Sequence, residues 1–148
     1  MTESILVGVD ESPGSQRALR WAAEQAHRND LEVDAVHVLT PSTEFARDLS
    51  IAGLTTWRRN LRRCLQHEWV QSLQDAGVTY RTELVEDDTV EAGLLAAAAR
   101  DHALLIVLGA HGNGEFKDRV LGSVIQRVAH RSERPVVIVP ACWRPTDR

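Results

Sequence analysis

The chain has 148 residues, of which 43% are hydrophobic and 26% charged, and its formal net charge is -4. That length and balance fit one ordinary globular domain over residues 1–148. The negative sign gives no general attraction to nucleic acid or anionic lipid, and the apolar runs are too short to cross a bilayer, so no nucleic-acid or membrane partner is expected.

The amino-terminal MTESILVGVD has neither a basic lead-in nor a long apolar core, so no signal peptide is expected. Residues 4–10, SILVGVD, are aliphatic and β-branched and read as a buried strand. Ser12 and Pro13 then mark a helix start, because a serine caps free amides and a proline at the first helical position sacrifices no hydrogen bond. The helix runs to about His27, and Ala18, Ala22 and Ala26 give it a flat face that can sit close on a sheet. Residues 31–39, LEVDAVHVL, read as a second strand. Residues 41–55 are polar, with Pro41 and Gly53, and read as a loop or a frayed helix start. Thr56 to about Ala76 is helical in pattern and ends at Gly77, a C-cap residue.

Residues 78–85, VTYRTELV, alternate as a strand with one exposed face, and residues 88–100 form an alanine-rich helix. Residues 103–108, ALLIVL, read as a fully buried strand. A glycine-rich loop follows, then a helix over 123–133 with Val124, Ile125, Val128 and Ala129 on one face. PVVIVP at 135–140 closes as a fifth strand. Strict alternation of strand and helix argues for a parallel sheet with helices on both faces. In such sheets ligands bind beyond the carboxyl ends of the strands, where the strand order reverses. Asp10 and Gly109 both stand at such ends.

The loop GAHGNGEFKDRVLGS, Gly109 to Ser123, is longer and richer in glycine than a turn requires. Glycines let backbone approach a ligand, and free amides at a helix start attract phosphate. The spacing is neither GxxxxGK[ST] nor GxGxxG, which sets aside the usual P-loop and a dinucleotide-dependent dehydrogenase. A plainer reading is also open: Ser123 with Gln126 has capping-box spacing, and the glycines then only close a turn.

Gly109-x-x-Gly112, nine further residues, then Gly122-Ser123 resembles the nucleotide-binding pattern of the universal stress protein family, in its ATP-binding branch. VGVDESPGSQRALRWA is similar to that family's first strand and helix, His37-Val38 to the close of its second strand, and LGAHGNGEFKDRVLGSVIQRVAHRSERPVVIV to its last third. The resemblance implies a single-domain, Rossmann-like open sheet of order 3-2-1-4-5, of the adenine nucleotide alpha hydrolase-like kind. It implies ATP, with or without Mg2+, at the ends of strands one and four. Asp10 would then lie by the adenosine end, Val38 would meet adenine through its backbone, and Gly8 and Val9 would also belong to the nucleotide-binding set. Leu108, Gly109 and Gly112 would line the ribose and phosphates, and Gly122, Ser123 and Val124 would hold the phosphate tail. Glu11 departs from the glycine common in the family, and Asn113 from a frequent basic residue. Lys117 and Arg119 are candidates for the missing charge.

His111, between two motif glycines, faces either ligand or solvent. His37 fits a structural place at a strand end, while His27, His67, His102 and His130 read as surface residues without metal-ligand spacing. Asp10 reads as a hydrogen-bonded carboxylate before a catalytic base or metal ligand. Trp57 and Trp69 are expected to pack or cover the sheet, and RRNLRR at 58–63 to be a solvated helix face or a partner stripe. Cys64 and Cys142, far apart and outside any CxxC pair, read as reduced thiols of a cytoplasmic protein. PVVIV at a sheet edge carries no charge and invites pairing, so a homodimer through Val136 to Val139 is expected, as the resemblance also implies. The functional expectation is a dimeric, ATP-binding stress-response regulator with an unknown protein partner and at most weak hydrolysis. A slow ATPase or phosphotransferase and a nucleotide-free interaction module are the alternatives.

Overall fold

The computed structural model of the protein describes residues 2–40, 49–110 and 122–146. β1 (Ser4–Gly8) leads into α1 (Pro13–Asn29) and then β2 (Glu32–Leu39). The chain continues through α2 (Ile51–Arg63), a π-helical turn (Cys64–Glu68), α3 (Gln71–Ala76) and β3 (Tyr80–Glu86). It closes with α4 (Val90–Arg100), β4 (Leu105–Gly109), α5 (Ser123–Arg131) and β5 (Val136–Val139). All neighbouring strands pair in parallel, in the order β3-β2-β1-β4-β5. The order expected from the family resemblance is therefore the one observed.

The start of α1 is built as its sequence dictates. Ser12 keeps an extended backbone and its hydroxyl accepts from the Ser15 amide at 3.2 Å, while Pro13 opens the helix. Ala18, Ala22 and Ala26 are buried against the sheet. On that face Ile5, Val7, Val33, Ala35 and Val107 meet Leu19 and, from the opposite flank, Leu65 and Leu73. On the other face Leu6, Val36, Ile106 and Leu108 meet Leu94, Ala97, Ile125 and Val128 of α4 and α5. Each fully buried aliphatic side chain contributes about 1.5–3 kcal/mol, so both faces are held by many modest terms.

Three sequence expectations are corrected. The helix expected over Thr56 to Ala76 is not continuous: α2 begins at Ile51, gives way to the π turn, and α3 restarts at Gln71 before Gly77 caps it with φ 66°. Ser123 does not cap the last helix, because Gly122 is the cap and Ser123 is the first helical residue. Ala129 does not share the buried face of α5; Ile125 and Val128 are buried and Ala129 is exposed. Residues 41–48 of the expected loop lie outside the described residues.

Candidate functional site

The order β3-β2-β1-β4-β5 makes β1 and β4 neighbours, and their following helices leave on opposite faces. The gap this opens beyond their carboxyl ends is a cavity of about 170 Å³. Gly8, Val9 and Asp10 form one wall, Leu108 and Gly109 another, with Val38 and Val124 beside them. Seven of the sequence-selected residues thus share one cleft. Gly122 and Ser123 precede Val124 directly, at the start of α5, where the first amides of a helix lack internal partners. His111 and Gly112 lie outside the described residues.

Local geometry explains the two glycines at the cleft. A Cβ on Gly8 would stand 2.8 Å from Leu108 Cδ2, inside the apolar wall. A Cβ on Gly109 would overlap the Gly14 carbonyl, and one on Gly14 would lie 2.6 Å from the Ala110 oxygen. Here the first turn of α1 crosses the end of β4 backbone against backbone. Gly109 is therefore required by packing as well as available to a ligand. Gly14 was missed by sequence reasoning, because its partner across the crossing is distant along the chain.

The Asp10 carboxylate accepts from the Ser12 amide at 2.7 Å, and the Asp10 amide donates to Ser15 Oγ at 3.0 Å. That ties the mouth of the cleft to the cap of α1, in line with reading Asp10 as a hydrogen-bonded carboxylate. His37 also lines the cavity. Its Nδ1 lies 2.6 Å from the Val9 carbonyl, which can only accept, so Nδ1 carries the proton. The ring meets Trp69 edge to face, with centroids 5.1 Å apart. Gln16 Nε2 donates to the Trp69 carbonyl at 3.1 Å. The structural role expected for His37 is the one seen, with a place in the cleft wall added. Val90, Leu94 and Ile125 complete the apolar lining. Helical periodicity marked Ile125 as buried, but nothing local distinguishes a core aliphatic from one that faces a cleft.

Other candidates fall outside the cleft. Among the described residues no three His, Cys, Asp or Glu side chains converge as a metal site would. Arg58, Arg59, Arg62 and Arg63 are exposed, and Arg58 pairs with Glu86 at 2.6 Å, so the basic run is a solvated helix face. Both cysteines are free thiols. Desolvation, and then Glu68, push the Cys64 thiol above its ordinary 9.0, which disfavours the reactive thiolate.

The sequence model of the universal stress protein family matches residues 1–140. The chain belongs to the universal stress protein family. A universal stress protein of Mycobacterium tuberculosis is 30% identical over 139 residues, covering 91% of this chain and 46% of that protein. The chain spans about half the length of the curated relatives it matches. Among solved structures, a universal stress protein in complex with cAMP superposes with a TM-score of 0.71 at 24% identity, covering 95% of this chain and 98% of that one. A universal stress protein from Archaeoglobus fulgidus in complex with dAMP superposes with a TM-score of 0.65 at 23% identity, covering 93% and 97%. These likenesses extend the family's fold to this chain. No helix among the described residues is long and apolar enough to cross a membrane.

Proposed function

We propose that the cleft binds an adenine nucleotide, ATP being the expected ligand, and that this chain is a single-domain, cytoplasmic, dimeric regulator whose output is nucleotide occupancy. The observation that carries the reading is the convergence of Gly8, Val9, Asp10, Val38, Leu108, Gly109 and Val124 on one cavity at the point where strand order reverses. The chemistry fits. Aliphatic walls from Val38, Leu94 and Leu108 suit a purine face, and the start of α5 at Gly122 and Ser123 offers unpaired amides to phosphate. His111 and Gly112 belong to the proposed site on the family motif. Mg2+ would accompany ATP through the phosphates. Two family members carry adenine nucleotides in their structures, which supports the ligand class.

The dimer is proposed through β5, an uncharged strand at the sheet edge. Occupancy would change how the dimer meets its protein partner, with hydrolysis at most weak. The test begins with purified protein, denatured and resolved by anion exchange, in which a bound adenine nucleotide is expected. Calorimetric titration with ATP and magnesium follows, on wild type and on the Gly122→Val, Ser123→Ala double variant. Binding by wild type and none by the variant, with matching circular dichroism, supports the assignment. Equal binding by both would overturn the site, and a flat wild-type titration would overturn the nucleotide reading.

A further inference from the structure

Charge is buried at several points outside the cleft. Two nitrogens of the Arg17 guanidinium are buried on α1, and Asp34 is buried on β2, where Arg81 pairs with it. Glu91 on α4 is buried too, and it differs from the others in standing between the cleft and a neighbouring helix. A carboxylate withdrawn from water is costly unless cations or fixed dipoles compensate it.

Glu91 lies in the first turn of α4, next to Val90 and three residues before Leu94, both of which line the cleft. The free amides at that helix start favour its charge. Its side chain is 5% exposed and meets α5, where Arg127 Nη1 and Arg131 Nη1 stand 3.9 and 3.8 Å from Oε1. Both distances exceed a hydrogen bond, so the attraction is one of charge, shared by two cations.

That contact falls on a particular row of α5. Ser123, Arg127 and Arg131 follow at four-residue spacing and lie on one side of the helix. The row that Glu91 grips therefore begins at Ser123, where the phosphate tail is proposed to sit. Other restraints on α5 are few. The helix has nine residues, with Ile125 and Val128 buried, and its Gly122 cap brings no side chain to the free amides. Apolar packing is non-directional, so two aliphatic side chains set the depth of the helix more firmly than its rotation or slide. The charge contact to α4 supplies the missing restraint.

We propose that Glu91 is a positioning residue for the phosphate end of the cleft. Through Arg127 and Arg131 it fixes α5 against α4, and with it the amides of Gly122 to Val124 relative to the apolar walls that receive the purine. This inference rests on the nucleotide reading above. It also fixes a sign. Glu91 is an anion beside a site for a polyanion, so a residue acting through its field alone would oppose ATP, and its removal would tighten binding. A residue that holds the helix does the reverse, and its removal weakens binding.

The experiment is calorimetric titration of the full chain with adenosine, AMP and ATP in the presence of magnesium, on proteins whose circular dichroism matches wild type. Glu91→Gln keeps the shape and removes the charge, and should raise the ATP Kd about tenfold. The loss should shrink for AMP and stay within about twofold for adenosine, which has no phosphate to place. Arg127→Gln and Arg131→Gln each leave one cation behind and should raise the ATP Kd no more than about threefold. Together they should match Glu91→Gln, and adding Glu91→Gln to the pair should cost nothing further. Should Glu91→Gln fold poorly, the arginine pair carries the same test through its loss for ATP against adenosine. ATP binding that is unchanged or tighter in Glu91→Gln would overturn the proposal. So would an equal loss for adenosine and ATP, the mark of a collapsed wall, or a further loss when all three changes are combined. A wild-type chain that binds no ATP overturns the nucleotide reading itself, which is a separate and distinguishable outcome.

Discussion

At one edge of the sheet β3 carries Arg81, Glu83 and Glu86, and at the other β5 carries Val136 to Val139 and no charge. Every charge on β3 is tied inward. Arg81 Nε donates to Asp34 Oδ1 at 2.9 Å, Arg100 pairs with Glu83, and Arg58 with Glu86. Long charged side chains on an edge obstruct a second strand, and their partners hold them there. β5 has none of this. Ile106 donates to the Pro135 carbonyl at 3.0 Å and Ala110 to the Val139 carbonyl at 2.9 Å, so its backbone alternation leaves Val136 and Ile138 turned outward. The two edges share a parallel geometry; β5 is the shorter strand, four residues against seven, and the side-chain chemistry of the two is opposite. The proposed dimer rests on that difference.

The sharpest way to break this contrast is to remove one outward amide at each edge. Ile138→Pro deletes an outward N–H and leaves the bonds to β4 in place. Its dimer Kd should rise at least about a hundredfold, since the paired strand loses both a bond and its flat approach. Thr82 is the matching outward position on β3, because the Thr79 carbonyl accepts from Val33 and the Asp87 amide donates to the Leu39 carbonyl. Thr82→Pro should leave the association state untouched in size exclusion with light scattering. A dimeric Ile138→Pro protein would end the assignment of β5.

The next effect concerns stability at the charged edge. The Asp34 side chain is 5% exposed and that of Arg81 is 60% exposed. Arg81→Ala strands a buried carboxylate and should cost about 2 kcal/mol, a fall in Tm of about 4–8 °C. Asp34→Asn leaves an arginine that water can reach and should cost less than half as much. Equal losses in chemical denaturation would show that burial does not set the asymmetry.

A smaller effect is carried by pH. Hydrogen bonds from Arg100 hold the Asp101 carboxyl below its ordinary 3.8, against the opposing pull of burial. A carboxyl lowered in the folded state stabilises the protein above its unfolded value and loses that contribution as pH falls through the folded one. Asp101→Asn should therefore be less stable than wild type near neutrality, and the two should converge as pH falls through that lowered folded value. Arg100 is half exposed, so solvent screening keeps the gap under about 1 kcal/mol. A gap that widened in acid would contradict the pairing.

The smallest effect belongs to Arg58 and Glu86, whose side chains are 45% and 55% exposed. Arg58→Ala should cost no more than about 0.5 kcal/mol, and about 0.5 M salt should erase the difference. A larger, salt-resistant loss in parallel melts would mean that this pair anchors α2 to the edge.

Most of the architecture was legible in the sequence because it rests on patterns with a fixed period. The alanines of α1, the aliphatic run of β4 and the Ser12-Pro13 start each declare an element locally. The cleft was legible because Asp10 and Gly109 stand at strand ends and the family motif joins them. Contacts made across the fold were hidden. Gly14 reads as an ordinary helical residue until Gly109 crosses it, and Arg17 as a surface cation until its nitrogens prove buried. Ser123 looked like a cap because serine is a common one, but Gly122 already stood in that place. The break after Arg63 had no local signal either, since no proline or glycine marks it.

That break has a consequence for how this chain tolerates change in length. A π turn is an α-helix with one extra residue wound into it, and each residue turns a helix by about 100°. The insertion between Arg63 and Trp69 therefore rotates everything after it about the helix axis. With the extra residue, Trp69 lands edge-on against His37. Without it, the same tryptophan would point a quarter-turn away, and the wall of the cleft would lose its backing. Chain length in this short segment is thus a tuning parameter for the site, and a single-residue deletion there would act at the cleft without altering any residue that lines it.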